Sequence, residues 1–309
     1  MKNAPDVVFD SPLPAAPLAE FRNFTPFPSQ YFQTVDPADQ VFHVVVVRVT
    51  HTLRRVDKDG SLLLADEQTP LAQSDVCHGE INRSSIKWES DFAPYKPKCD
   101  VLLVNATAHS PEGKARPMWP VKLQVGDWSK TLIVTGPRRF RRTRTGGYEL
   151  TDPEPATELP LTYEHAYGGE NRWPDPLLDG QAPELWRIDE RNPVGRGFRD
   201  GEWLKRAKPE AIPAPQIELP DRPYRGEADY PVCGFGAIAR PWQPRRPLAG
   251  TYDQAWKESR WPRLPLDHDY AYWNCAPADQ QIGYPQGGEA IVLHNLQWAC
   301  VFRVTMPVS

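Results

Sequence analysis

The residue set with the clearest potential for chemistry is the run Asp267-His268-Asp269, together with Cys275 and His294 further along the chain. Carboxylate, imidazole and thiolate groups bind transition metals or act as acids and bases in hydrolysis. The spacing of these five residues matches no common zinc pattern, and alternate residues of an extended segment point to opposite sides. A hydrolase built on Asp267, His268 and Asp269 is therefore a minor alternative, and we expect no metal.

The sequence contains no other motif with a defined chemistry. Cys77 and His78 are adjacent, but a nucleophilic pair built on them would need a further residue from elsewhere in the fold. No G-x-S-x-G segment is present, and the glycines at 195–197 and 234–236 lack the spacing of phosphate-binding loops. We therefore expect no catalytic residue, no cofactor and no enzymatic activity.

The stretch 231–281 is a dense mixture of tryptophan, arginine, aspartate and proline without a long helical or strand period. In such a segment, arginine and aspartate side chains can satisfy backbone groups that have no ladder partner, while tryptophans supply apolar area. We predict a rigid structural hub, with a partner-binding surface as the alternative. The residues assigned to it are Trp242, Arg245, Trp256, Trp261, Asp267, Asp269 and Trp273. A short helix is predicted to begin at Thr251 and to end before Trp261-Pro262.

A second group of candidate residues is the basic cluster Arg138, Arg139, Arg141 and Arg142, with Arg144 beside it. Four acidic residues follow between positions 149 and 158, so a solvated hairpin or loop with local charge compensation is the simpler interpretation. A contact site for an acidic partner is the alternative. Nucleic acid is disfavoured because few aromatic residues are interleaved with the arginines.

Composition limits the classes of protein that this chain can belong to. Its 309 residues carry a net charge of −4, which provides no electrostatic attraction to nucleic acid. No apolar run is long enough to span a membrane, so we expect no membrane contact. The N-terminus is a poor secretory signal, and five widely spaced cysteines form no disulfide pattern, so we expect a cytoplasmic protein. The 35 prolines restrict long helices and central strands.

The strand signals predict a mainly β fold. A valine-rich strand is expected from Val41 through Thr50 to Val56, buried on both faces, with a hairpin turn at 57–60 and a return strand in SLLLADEQ. A buried strand follows in 100–110, and VKLQV and WSKTLIVTG form a second hairpin, with Lys130, Leu132 and Val134 on one face. The segments GGEAIVLHNL and WACVFRVTMP predict two final strands.

These elements indicate one sandwich- or barrel-like β domain over 1–309, with long irregular loops and few short helices. Its parts are an irregular N-terminal segment (1–40) anchored by aromatic side chains, β hairpins (41–135), a loop-rich region (136–286) and closing strands (287–306).

Six segments together resemble a bacterial domain-of-unknown-function family associated with type VI secretion. They occur in the same order over roughly 20–306, and several long motifs in register make the resemblance specific. The segments are SDFAPYKPKCDVLLV (90–104), LPLTYEHAYGG (159–169), NPVGRGF (192–198), GFGAIARPWQPR (234–245), GTYDQAWKESRWPRLPLDHDYAYWNCAPADQ (250–280) and GGEAIVLHNL (287–296).

The resemblance implies an adaptor or chaperone that binds and stabilises a secreted effector with a PAAR or PAAR-like domain and helps to load it onto the VgrG spike. It supplies no catalytic residues, so the motifs are expected to be scaffold or interface positions. The alternatives are a carbohydrate-binding or tail-structural β module, which would need tryptophans exposed as a flat platform, and the hydrolase considered above.

Overall fold

The computed structural model describes residues 20–174, 184–296 and 301–305. The strands up to residue 98 are β1 Ser29–Val35, β2 Val41–Val47, β3 His51–Val56, β4 Leu62–Leu64, β5 Val76–Cys77 and β6 Ile86–Trp88. The next strands are β7 Cys99–Val104, β8 Thr107–His109, β9 Met118–Val125, β10 Trp128–Thr135, β11 Arg139–Arg142, β12 Tyr148–Leu150, β13 Glu158–Pro160, β14 Tyr167–Gly168 and β15 Glu170–Pro174. The remaining strands are β16 Glu184–Ile188, β17 Arg196–Gly197, β18 Ala211–Pro213, β19 Ile217–Glu218, β20 Gln281–Ile282, β21 Ile291–His294 and β22 Val301–Thr305. The α-helices are α1 Gly201–Ala207 and α2 Gln254–Ser259.

The fold is mainly β, as predicted, and its strands are divided among many small sheets. Within the described residues, the largest sheet has the order β19-β10-β9-β21, and no set of strands closes into a barrel. All ladders are antiparallel except the short parallel pairing of β14 with β17. No helix in this part of the chain has the length and apolar character needed to cross a membrane.

The β9–β10 hairpin forms the centre of the core and confirms the predicted alternation. Its strands pair from Trp128 opposite Val125 onward, with Gly126 at a positive φ of 55° in the turn. Lys130, Leu132 and Val134 are buried on one face. The main apolar cluster surrounds this hairpin and includes Val101, Leu123, Ile217, Tyr167 and Phe235.

The first 79 described residues, Glu20–Lys98, differ from this core, and we call them the N-terminal layer. Among the described side chains, the fully buried apolar set begins only at Cys99. The layer therefore has no apolar core of its own, and the side chains that it buries fully are polar or charged, such as Glu89 and Lys96. Its β3–β4 hairpin turns at Asp57–Gly60 as predicted, with the Gly60 amide donating to the Asp57 carbonyl.

Two predictions for the N-terminal layer are wrong. Ser29–Val35, expected to be irregular, forms β1 and pairs with β2 along its whole length; residues 1–19 lie outside the described residues. The valine-rich strand ends at Val47, and its residues alternate between exposed and half-buried positions. The prediction of burial on both faces is wrong because β2 belongs to a two-stranded sheet, and only one face of that sheet packs against the molecule.

The predicted final strands are present as β21 and β22. β21 extends the large sheet by pairing with β9, and β22 pairs with β7. Residues 297–300, at the start of the last predicted strand, lie outside the described residues. Val292 lies opposite Gln124 and Val301 opposite Val104, so the two C-terminal strands pair with strands 168 and 197 positions earlier.

Candidate protein-binding surface

A buried charge network lies at the centre of the predicted hub. Arg245 is 3% exposed and donates from Nη1 to Glu89 Oε1 at 2.7 Å. Its guanidinium also donates to the carbonyls of Tyr272 (2.7 and 2.9 Å) and Ile238 (2.7 Å). Arg245 therefore satisfies backbone groups of the irregular stretch, as predicted for a hub residue.

The network continues from Glu89 to a second buried ion pair. Lys96 Nζ lies 3.9 Å from Glu89 Oε2 and 2.8 Å from Asp100 Oδ2. Asp100 also accepts hydrogen bonds from Asn274 Nδ2 (2.9 Å) and the Cys275 amide (3.0 Å). These contacts connect the N-terminal layer and β7 to the stretch 238–276.

The carboxylates of this network stay charged although they are buried. Burial alone would raise the pKa of Glu89, but the charges of Arg245, Lys96 and Arg240 outweigh burial and lower that pKa. Burial likewise acts to raise the pKa of Asp100, whereas Lys96 and the hydrogen bonds from Asn274 and Cys275 lower it. The network is thus a set of ion pairs, and it connects the layer to the hub electrostatically.

The four hub tryptophans occupy different environments. Trp242 is buried and packs edge-to-face on Tyr163, with ring centroids 5.3 Å apart. Trp256 and Trp273 pack edge-to-face on Tyr252 and Tyr272 at 4.7 and 5.5 Å. Trp261 is more than half exposed. Three of these rings therefore fill gaps between loops at steep angles and are not arranged as one flat platform.

Asp267 and Asp269 organise backbone and do not meet as ligands. Asp267 accepts from the Thr251 amide and hydroxyl at 2.9 and 2.7 Å, and Asp269 accepts from the Ala271 amide at 2.8 Å. Since Thr251 is engaged in this way, α2 is capped by Asp253, which corrects its predicted start at Thr251 by two residues. Among the described residues, no three His, Cys, Asp or Glu side chains cluster as a metal site.

The basic cluster splits into one buried and three exposed arginines. Arg138 is buried, forms an ion pair with Glu218 and donates from Nε to the Pro215 carbonyl at 3.0 Å. The expectation of a solvated hairpin or loop is therefore wrong for Arg138, which is buried. On β11, Arg139, Arg141 and Arg142 are exposed, with the buried Phe140 between them. Arg141 lies opposite Glu149 and Arg139 contacts Glu154 at 3.2 Å, which fits local charge compensation.

The glycine-containing motifs at 159–169 and 192–198 form one tightly packed structural unit. Asn192 Nδ2 donates to the carbonyls of Tyr163 and Tyr167, both at 2.9 Å. Gly168 has a φ of 140°, and a Cβ there would lie 2.2 Å from the Asn192 carbonyl oxygen. These motifs are therefore scaffold positions at which a close backbone approach requires glycine.

The hub supports the β1–β2 hairpin at two places. Arg260 and Arg263 both bind Asp39 in the turn, each with a contact of 3.0 Å. On the inner face of the hairpin, Phe42 packs against Tyr270 with ring centroids 6.3 Å apart. Phe32 similarly packs against Phe92 at 6.0 Å. One face of the hairpin is thus fixed to the molecule.

The opposite face of the hairpin carries exposed valines of β2. Val45 and Val47 are 50% and 51% exposed, and Val41 lies on the same face. Twelve of the nineteen exposed large apolar side chains in the described residues belong to the N-terminal layer. Exposed apolar surface concentrated in one region is typical of protein interfaces. The layer is therefore the candidate protein-binding surface.

Sequence reasoning placed the candidate site in the hub and the arginine cluster and missed this surface. The valine run predicts a strand buried on both faces because its apolar residues are nearly continuous. No local signal in the sequence identifies this surface, because a run of valines has the same appearance whether one face or both are covered. Glu89, which binds the layer to the hub, carries no local signal because its partner Arg245 lies 156 positions away.

Comparison with known proteins identifies a family. Residues 39–308 match the model of a family described as uncharacterized protein conserved in bacteria (DUF2169). No curated protein and no solved structure matches the chain. The match covers the hub, both glycine motifs and β2, and it begins after β1. The chain therefore belongs to the DUF2169 family of bacterial proteins.

Proposed function

We propose that this chain is an adaptor or chaperone that binds a partner protein through its N-terminal layer. The observation that carries the proposal is the contrast between the layer and the rest of the molecule. The layer carries twelve of the nineteen exposed large apolar side chains and has no fully buried apolar side chain of its own among the described residues. A partner that covers it would remove apolar surface from water and add the packing that the layer lacks.

The partner class follows from the resemblance to type VI secretion proteins. We propose a secreted effector with a PAAR or PAAR-like domain, which the chain stabilises and helps to load onto the VgrG spike. A rigid hub suits this role, because an interface fixed in advance loses less conformational entropy on binding. Two buried ion pairs support that rigidity: Arg245–Glu89 holds the layer to the hub, and Lys96–Asp100 holds it to β7.

The first experiment is affinity capture of the tagged chain from the bacterium that produces it, with partners identified by mass spectrometry. Recovery of one PAAR-bearing effector, with or without VgrG, is the expected result. Recovery of no partner from cells that express the secretion genes would contradict the adaptor function.

A pair of matched variants tests whether the layer is the binding surface. Ile81 in the layer is 73% exposed, and Val292 on β21 outside it is 42% exposed. We expect Ile81→Lys to reduce effector recovery about tenfold, the effect of losing about 1.4 kcal/mol of binding free energy. Val292→Lys should leave recovery unchanged. Equal recovery for both variants would place the interface elsewhere.

A further inference from the structure

The outer edge of β2 is a free strand edge. In the described residues, β2 pairs only with β1, so the sheet has two strands and two open edges. The register is continuous from Ser29 opposite Val47 to Val35 opposite Val41, without a bulge. An edge of this kind presents a row of backbone donors and acceptors to any strand that can reach it.

The hydrogen bonds at both ends of the hairpin show which residues face that edge. The Arg48 amide donates to the Pro28 carbonyl and the Asp36 amide donates to the Gln40 carbonyl, both at 3.0 Å. Since bonded pairs alternate along an antiparallel ladder, the even-numbered residues of β2 bond to β1. The backbone groups of Val41, His43, Val45 and Val47 therefore point outward. Their side chains also lie on the exposed face.

β2 lacks the features that normally protect an edge strand. Such strands are usually protected by charged residues, proline or a bulge. Among the described strands of five or more residues, every one except β1 and β2 contains a charged residue. β1 carries Ser29, Gln30, Gln33 and Thr34 and follows Pro26 and Pro28, whereas β2 has only His43 as a polar residue. The unprotected edge of the hairpin is therefore the edge of β2.

We propose that β2 pairs with β2 of a second copy of this chain, antiparallel and about a two-fold axis. Overlap of all seven residues places Val41 opposite Val47 of the other copy and His43 opposite Val45. Val44 then lies opposite Val44 of the other copy, on the two-fold axis. The four outward-facing residues can each exchange backbone hydrogen bonds, and the two hairpins form one four-stranded sheet.

The residue types of β2 favour a second molecule of this chain as the partner that pairs with its free edge. Isologous pairing brings identical surfaces together, so any charged residue near the axis would face a like charge. β2 contains no Lys, Arg, Asp or Glu, and in the full-overlap register His43 does not face His43 of the other copy. The pairing also joins the exposed valines of both copies into one apolar sheet face.

This proposal is independent of the adaptor function. Self-pairing needs only the edge of β2, whereas effector binding rests on the wider N-terminal layer. The two ideas therefore fail through different measurements: solution mass for self-pairing, and partner capture for the adaptor function.

Sedimentation velocity over a concentration series of the full chain tests the pairing. The expected result is a shift from 35.1 kDa toward twice that mass as concentration rises. Val45→Lys should restore the monomer at every concentration, while the uncharged β-branched variant Val45→Thr should retain the shift. A monomer at all concentrations, or a dimer unaffected by Val45→Lys, would overturn the proposal.

A cysteine variant tests the register. In the proposed pairing, Val44 of the two copies forms a non-hydrogen-bonded pair with Cα atoms about 4.5 Å apart, which suits a disulfide. Val44→Cys should therefore form a covalent dimer on mild oxidation, with the linked 44–44 peptide found by mass spectrometry. Val46→Cys should form no such dimer, because position 46 is on the same face but far from position 46 of the other copy. A 46–46 link, or no link at position 44, would refute this register.

Discussion

A single residue, Arg245, has the largest predicted effect on stability. Its guanidinium is 3% exposed and binds the buried Glu89 carboxylate and two backbone carbonyls. Arg245→Ala leaves Glu89 buried with less compensating charge, which typically costs about 3–5 kcal/mol. We expect the free energy of unfolding, measured by urea denaturation with circular dichroism, to fall by about that amount.

The neighbouring residue is the control for this prediction. Arg246 forms its ion pair with Glu190 at 2.7 Å, and both side chains are more than half exposed. Exposed pairs of this kind contribute less than about 1 kcal/mol. Arg246→Ala should therefore leave the urea midpoint almost unchanged. Similar losses for the two variants would show that burial of the network is not the source of stability.

The arginines also show where residue types are insufficient for prediction. Arg245 was correctly assigned to the hub because a loop rich in tryptophan and proline needs donors. Arg138 and Arg139 are adjacent and chemically identical, yet one is buried and the other exposed. The difference depends on Glu218, eighty positions away, and no local pattern specifies that contact.

Among the elements, the β1–β2 hairpin depends most on a single distant anchor. Asp39 in its turn binds Arg260 and Arg263, which belong to the hub. Asp39→Ala removes both ion pairs and leaves the aromatic contacts of Phe32 and Phe42. We expect amide hydrogen exchange in residues 29–47 to accelerate by roughly tenfold, the effect of a contact worth about 1.4 kcal/mol, while exchange in β9 and β10 is unchanged.

Glu112→Ala is the matched control for the hairpin. Glu112 pairs with Lys114 at 2.6 Å on an exposed loop, so its loss should change exchange nowhere beyond that loop. If Asp39→Ala accelerated exchange uniformly over the molecule, the hairpin would not be an independently opening unit.

Elements were predictable where the pattern was local and strict. The β9–β10 hairpin was correct because its side chains alternate and its turn contains Gly126-Asp127. β1 was missed because SQYFQTV is largely polar and becomes a strand only by pairing with β2. The two faces of β2 could not be assigned, since a run of valines has the same appearance whether one face or both are covered.

Over the whole molecule, the buried carboxylates make stability dependent on pH. The pKa values of Glu89 and Asp100 are lowered in the folded chain relative to ordinary values of roughly 4. Their contribution is therefore complete above that range and is lost as pH falls through the lower folded values. We expect the urea midpoint to decrease steeply below about pH 4, as measured by denaturation at a series of pH values.

Asp100→Asn separates this contribution from general acid effects. The amide carries no charge to pair with Lys96, so the variant should be less stable than the wild type at pH 7. The amide also cannot titrate. The difference between the two proteins should narrow as the pH falls. A constant difference across the acid range would mean that Asp100 is not responsible for the dependence.

At this scale, composition and strand signals predicted the mainly β class, and the resemblance indicated the family. The arrangement of many small sheets was not predictable, because it depends on long-range pairings such as β22 with β7. The candidate protein-binding surface was not predictable either. It results from which strands lack neighbours, and this is known only when the whole topology is known.

The absence of an apolar core in the N-terminal layer has a consequence for synthesis on the ribosome. The layer is translated first, but Arg260 lies 221 positions after its partner Asp39. At about 5–20 residues per second, this separation corresponds to on the order of 10–45 s of translation. During that interval the hub residues that contact the valine-rich strand have not yet been synthesised. The nascent chain therefore exposes an uncharged β-strand until its last third has emerged.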